Sequence, residues 1–255
     1  MANIEQNREA WNKDWQDHGE TWSEAWGGVE SQWFGTIFPR VHAFLPTVTI
    51  LEIAPGYGRW TQFLKNYCDH LILVDLSEKC IKACKKDFHS YSHISYYVND
   101  GKSLSMIQNH SIDFVFSFDA LVHTDADVIE AYLSQLARIF KLNGVGFIHH
   151  SNIGACVNSS TGQFPPDFIN PHWRAENMTA KLFEEFCRKA NLKCITQEII
   201  NWGGYILNDC FSLCTPIHSV WARPNKIFIN EKFMNEVQYL SRVSQLYTIS
   251  SFKNI

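Results

Sequence analysis

The stretch Thr49-Ile50-Leu51-Glu52-Ile53-Ala54-Pro55-Gly56-Tyr57-Gly58-Arg59-Trp60 constrains the fold more than any other. An apolar strand runs into a turn punctuated by glycine, and a helical pattern follows at once, with Trp60, Phe63, Leu64 and Tyr67 on one face. A second apolar run, Leu71-Ile72-Leu73-Val74, ends on Asp75. A glycine turn lets backbone approach a ligand closely, and an acid at the end of the next strand can accept hydrogen bonds from a ribose. Together they imply a nucleoside-containing cofactor.

The alternation continues. Strands are expected at 48–53, 71–75, 94–98, 112–118 and 145–150, with helices at 58–68, 77–86 and 127–140, the last capped by Thr124 or Asp125. Strands separated by helix-length segments give a parallel sheet with right-handed crossovers. A loop rich in Asn, Ser, Gly and Pro fills 151–175, and loops of that length are usually lids or binding segments. A helix at 178–189 and an antiparallel pair, 192–200 and 206–214, complete an α/β core over 46–223. Ahead of it, residues 1–45 place Trp11, Trp15, Trp22 and Trp26 at helical spacing, which predicts either a packing cap or a lid. Beyond it, 224–255 reads as a helical extension. Its stripe of Phe233, Val237, Leu240 and Val243 needs a surface to cover, either its own domain or a second copy in a homodimer.

A net charge of -4 and the lack of a basic stripe argue against a nucleic-acid partner. No apolar run is long enough to span a bilayer, and the first residues lack the apolar core of a secretory leader. The eight cysteines therefore read as reduced thiols of a cytoplasmic protein. Cys80/Cys84 and Cys210/Cys214 are too sparse for a tetrahedral metal site, and no metal is expected.

The order of elements resembles class I S-adenosylmethionine-dependent methyltransferases over about residues 45–215, and the wider pattern resembles bacterial O-methyltransferases of glycan and sugar biosynthesis. The resemblance implies a Rossmann-like, mostly parallel, seven-stranded sheet with an antiparallel last strand in a three-layer αβα sandwich, preceded by the N-terminal helical segment. It rests on Glu52-Ile53-Ala54-Pro55-Gly56-Tyr57-Gly58, with Ala54 where that family usually has its first glycine, and on Leu142-Asn143-Gly144 before the fifth strand. It implies S-adenosyl-L-methionine as cofactor and S-adenosyl-L-homocysteine as product. Gly56 and Gly58 would pass the methionine portion, Asp75 would hold the ribose hydroxyls and Asp100 would meet the adenine amino group, with Glu52, Ala54, Pro55, Trp60, Leu76, Gly101, Phe118 and Asp119 as further cofactor contacts. An acid leading into the turn also suits a cationic sulfonium better than the pyrophosphate of a hydride-transfer cofactor.

Sites in such sheets lie beyond the carboxyl ends of the strands. That rule selects Asp119 and His123 after the fourth strand, and His149, His150 and Ser151 after the fifth. Methylation of a hydroxyl calls for a general base, and histidine is the fitting type. His150 is the first choice because it stands one step further toward the cleft, followed by His149 and His123. His123, Ser151, His172, Trp173, Arg174 and Trp202 are the expected substrate contacts, for a small molecule or glycan acceptor. A small molecule that is not a sugar, or a silent cofactor-binding protein, are the alternatives.

Overall fold

The structure, a computed structural model, describes residues 3–15, 17–158 and 160–247. Helix α1 (Ile4–Trp11) is opened by Asn3, whose side chain accepts from the Gln6 N–H while the Gln6 side chain accepts from the Asn3 N–H. This reciprocal cap satisfies two donors that a helix start leaves orphaned. The tryptophan rhythm then yields less helix than its spacing predicts. Trp15 lies in a loop, and Glu20–Trp26 is a 3-10 turn bounded by Gly19 and Gly27, both left-handed. Helices α2 (Val29–Gln32) and α3 (Phe38–Val41) are joined by a π-type segment, Trp33–Ile37, and bury Trp33, Ile37 and Val41 against the sheet.

Strands β1 (Thr47–Ile53), β2 (Cys68–Asp75), β3 (Ile94–Val98), β4 (Ile112–Ser117) and β5 (Phe140–Ser151) are parallel in the order β3-β2-β1-β4-β5. Helices α4 (Thr61–Leu64), α5 (Glu78–Asp87) and α6 (Ala126–Ile139) lie in the crossovers. Helix α7 (Ala180–Lys189) precedes β6 (Leu192–Ile200), and β7 (Asp209–Pro216) inserts antiparallel between β5 and β6. Side chains alternate between two cores: Phe114 and Phe116 of β4 face one, and Val115 the other. Burying each such phenylalanine stabilises the fold by about 1.5–3 kcal/mol.

The sheet has eight strands rather than the expected seven. The additional one, β8 (Lys226–Asn230), lies in the stretch expected to be helical and runs parallel to β6 at the sheet edge. Ile227, Phe228 and Ile229 are each more than half exposed, so β8 shows no alternation that would mark a strand with one buried face. Helix α8 (Phe233–Tyr247) then returns onto its own chain, burying Phe233 and Val237, and Leu240 packs so closely on Gly35 that a Cβ there would lie 2.6 Å from its methyl carbon. The surface that the apolar stripe needs is supplied within the chain, and the stripe gives no ground for a homodimer. No helix among the described residues is long and apolar enough to cross a membrane.

Candidate functional site

The carboxyl ends of β1, β2 and β4 meet the 171–174 and 202–203 segments around a cavity of about 520 Å³. That volume falls within the usual range for small-molecule sites, roughly 300–1,000 Å³.

One half is built by the glycine turn. Gly56 (φ 59°) donates its N–H to Asp75 Oδ2 at 3.1 Å, and Ser77 donates to Oδ1 at 2.8 Å. Burial pushes the Asp75 carboxyl up to about 6, against the pull of these backbone donors. Ala54, in the place of the usual glycine, is itself left-handed at φ 58°, a conformation that costs a side-chain-bearing residue about 1–2 kcal/mol. Ala54, Pro55, Gly56, Trp60, Asp75, Leu76, Gly101, Phe118 and Asp119 all line the cavity.

Three expected cofactor contacts do not. Glu52 points into the protein, accepting from Thr61 Oγ1 at 2.6 Å, with no partner for Oε1 among the described residues. Its burial raises it to about 8, so it is neutral at pH 7 and cannot serve as the acid facing a cation. Gly58 is needed for packing, because a Cβ there would lie 2.4 Å from the Phe88 ring. Asp100 is exposed and accepts from the N–H groups of Lys102 and Ser103, leaving Gly101 to line the wall.

The N-terminal segment contributes more than its rhythm suggested. Trp11, Trp15, Trp22 and Trp26 all line the cavity. Trp15 stacks on Tyr57 (4.9 Å, 9° between planes) and lies over the glycine turn. Asn12 anchors the segment by accepting from Ser77 Oγ at 2.9 Å. Asn7, buried on α1, donates to the His123 carbonyl at 3.0 Å, and Trp11 lies 5.2 Å from the His123 ring. Arg59, which the sequence reading passed over, donates to Asp119 Oδ2 at 2.8 Å beneath the Trp22 and Trp60 rings.

The other half collects His123, His172, Trp173, Arg174 and Trp202. His123 donates from Nδ1 to the Trp173 carbonyl (3.1 Å), which leaves Nε2 as an acceptor. Burial, aided by the Arg174 charge, lowers its pKa to about 4, and the ring is neutral. Beneath lies a charged network. Asp209 takes Arg174 Nε and Nη2 at 2.8–3.1 Å and His149 Nε2–H at 3.0 Å, while His149 Nδ1 accepts from the Asp119 N–H at 3.1 Å. Both His149 nitrogens are therefore committed, and the residue does not line the cavity.

His150, the first choice for a base, lies away from the cavity. Strand β5 continues to Ser151, so adjacent residues still alternate, and His150 stacks on Phe183 of α7 (4.5 Å, 5°) with both nitrogens bonded, to Ser212 Oγ and the Ser151 carbonyl. Ser151 likewise fastens the following loop, donating to the Ala175 carbonyl at 2.8 Å.

S-adenosylmethionine fits these residues. The left-handed glycine turn and the Asp75 carboxylate line the cavity, Asp75 keeps acceptor capacity for ribose hydroxyls, and aromatic faces suit a sulfonium.

Comparison with known proteins agrees with this geometry. A family model described as "Methyltransferase domain" matches residues 50–144. Phosphoethanolamine N-methyltransferase 1 of Zea mays is 28% identical over 214 residues, covering 79% of this chain and 41% of its own length. Phosphoethanolamine N-methyltransferase 3 of Arabidopsis thaliana is 27% identical over 221 residues, covering 80% and 42%. The chain thus spans less than half the length of these relatives. Among solved structures, a S-adenosylmethionine-dependent methyltransferase from Clostridium acetobutylicum superposes with a TM-score of 0.54 at 15% identity, covering 78% of this chain and 92% of that one. A SAM-dependent methyltransferase from Aquifex aeolicus gives 0.51 at 11% identity, covering 72% and 92%. These two share the fold.

Proposed function

We propose that this chain, whose residues 50–144 match a family model described as "Methyltransferase domain", is an S-adenosylmethionine-dependent methyltransferase that methylates the nitrogen of a small amine. The cofactor supplies an electrophilic methyl group on a sulfonium. Asp75 and the 54–56 turn would hold it, and the tryptophans of the N-terminal segment would exclude water around the acceptor.

The observation that carries the choice of nitrogen is the state of the histidines. A hydroxyl must lose its proton as it is methylated, which calls for a base with a pKa near the working pH. His149 is committed at both nitrogens, His150 lies on the other side of the sheet, and His123 is held neutral with a pKa of about 4. His123 is thus a poor base but a sound hydrogen-bond acceptor. A neutral amine brings its own lone pair, and an N–H donated to His123 Nε2 would orient it. The amine becomes a cation as it is methylated, and the faces of Trp11, Trp22 and Trp173 favour that charge. The sugar or glycan hydroxyl that the resemblance implies finds no such support.

The names of the plant relatives make phosphoethanolamine the first amine to assay. Transfer of label from methyl-labelled S-adenosylmethionine should favour amines over matched alcohols and sugars. Incorporation into hydroxyl acceptors alone would overturn the proposal.

A further inference from the structure

Asp209 stands outside the cavity and is fully buried, yet two walls of the cavity depend on it. Through Arg174 it anchors the loop that carries Trp173, a residue in the left-handed region at φ 52°. The Trp173 carbonyl in turn accepts from His123 Nδ1 and so decides which nitrogen of that ring stays open. Through His149 it acts on the second wall. With its Nε2–H directed at Asp209, His149 presents a bare Nδ1 to the Asp119 N–H, at a residue that is also left-handed (φ 56°). A non-glycine backbone persists in that region only when its surroundings over-determine it.

We propose that Asp209 is a positioning residue that fixes the acceptor half of the site: it sets the His123 tautomer through Arg174 and Trp173, and the Asp119 turn through His149. The inference builds on the amine-methylating reading but concerns residues whose arrangement can be measured without an acceptor. The chemistry of the carboxylate is what matters. Asp209 Oδ2 accepts from both His149 Nε2–H and Arg174 Nη2, and Oδ1 accepts from Arg174 Nε, so only an acceptor-only group satisfies all three donors. An asparagine of the same shape must turn its NH₂ either toward Arg174 Nε or toward both Arg174 Nη2 and His149 Nε2–H, opposing donor to donor. If His149 responds by changing tautomer, its new Nδ1–H opposes the Asp119 N–H instead.

The test is Asp209→Asn in the full chain. Cofactor affinity, measured by calorimetry with S-adenosylhomocysteine, should stay within about threefold, while kcat/KM for the acceptor falls by about 10²-fold, the scale of a small misplacement at the reacting centre. Nitrogen NMR of the imidazoles should show His123 wholly as the Nδ1–H tautomer in the parent chain and as a mixture in the variant. Retention of both the parent tautomer and the parent kcat/KM would overturn the proposal, as would an equal loss of cofactor binding, which would mark Asp209 as general scaffolding. If Asp209→Asn does not fold, Arg174→Lys, which keeps the charge but loses the two-pronged contact, should give the same split, and its failure to do so would overturn the proposal as well. A parent chain that methylates no amine would defeat the reading of function while the tautomer measurement still decided the role of Asp209.

Discussion

Trp15 covers Gly56 so closely that a Cβ on the glycine would lie 2.5 Å from the indole Cη2. The N-terminal segment and the cofactor turn are thus fitted to each other, and Gly56 also holds a left-handed φ of 59°. Gly56→Val should abolish S-adenosylmethionine binding in calorimetry, through both strain and collision. Trp15→Ala should weaken it by about three- to tenfold, the worth of one aromatic contact. Unchanged affinity in Gly56→Val would place the cofactor elsewhere.

Ala54 offers the opposite experiment. Ala54→Gly relieves a left-handed alanine, worth about 1–2 kcal/mol, and gives back about 0.4–1 kcal/mol through the freer unfolded chain. A net stabilisation of roughly 0.5–1 kcal/mol is expected from denaturant titration. A destabilised variant would mean that the turn depends on the alanine methyl.

Glu52 makes stability depend on pH. Folding raises its carboxyl from 4.5 to about 8, so from pH 4.5 upward the folded chain keeps a proton that the unfolded chain releases. This contribution is whole below 4.5 and is lost as pH rises toward 8, at up to about 1.4 kcal/mol per pH unit. Glu52→Gln, neutral at every pH, should therefore be the more stable protein at pH 8.5 and lose its advantage by pH 5. Parallel unfolding curves for the two chains across that interval would contradict the buried, protonated carboxyl.

His123→Ala should lower methyl transfer by about 10²-fold and leave cofactor affinity unchanged, since the ring faces the acceptor half. With a pKa of about 4 the ring does not change charge between pH 5.5 and 8. At saturating cofactor, kcat/KM should therefore rise with the free-base fraction of the amine and show no histidine inflection near 6.5. An inflection there that vanished in His123→Ala would restore a general-base role.

The fold was legible in the sequence wherever burial imposed a period. Strands 94–98 and 192–200 have the expected limits, and α6 lies within one residue of its expected span. The turn and Asp75 were legible because glycine beside a strand-end acid has few other uses. The place of His150 turns on a matter of length: the strand runs one residue past it, so alternation still governs, and its ring lies on the far side of the sheet from the cavity while His149 lies buried beneath it. The four- and seven-residue spacings of the tryptophans fit a helix but do not require one, because a loop can bring the same rings together. Trp11, Trp15 and Trp22 meet with centroids 5.0–6.0 Å apart, with Trp11 on an α-helix, Trp15 in a loop and Trp22 on a 3-10 turn. Asp209 carried a usable signal, an acid opening the buried run Cys210-Phe211-Ser212-Leu213, of the same kind that had singled out Glu52 and Asp75.

Strand β8 bears on how this protein will behave in the tube. It ends the sheet with Ile227, Phe228 and Ile229 all more than half exposed, and such an edge is a template for unwanted strand pairing. Lys226 on one side and Glu231 and Lys232 on the other act as charged brackets. Their protection is electrostatic and therefore depends on the buffer: at 1 M salt, where screening acts within about 3 Å, concentrated stocks should cloud long before the fold itself is compromised. Ile229→Lys, at an exposed residue that does not line the cavity, would extend shelf life.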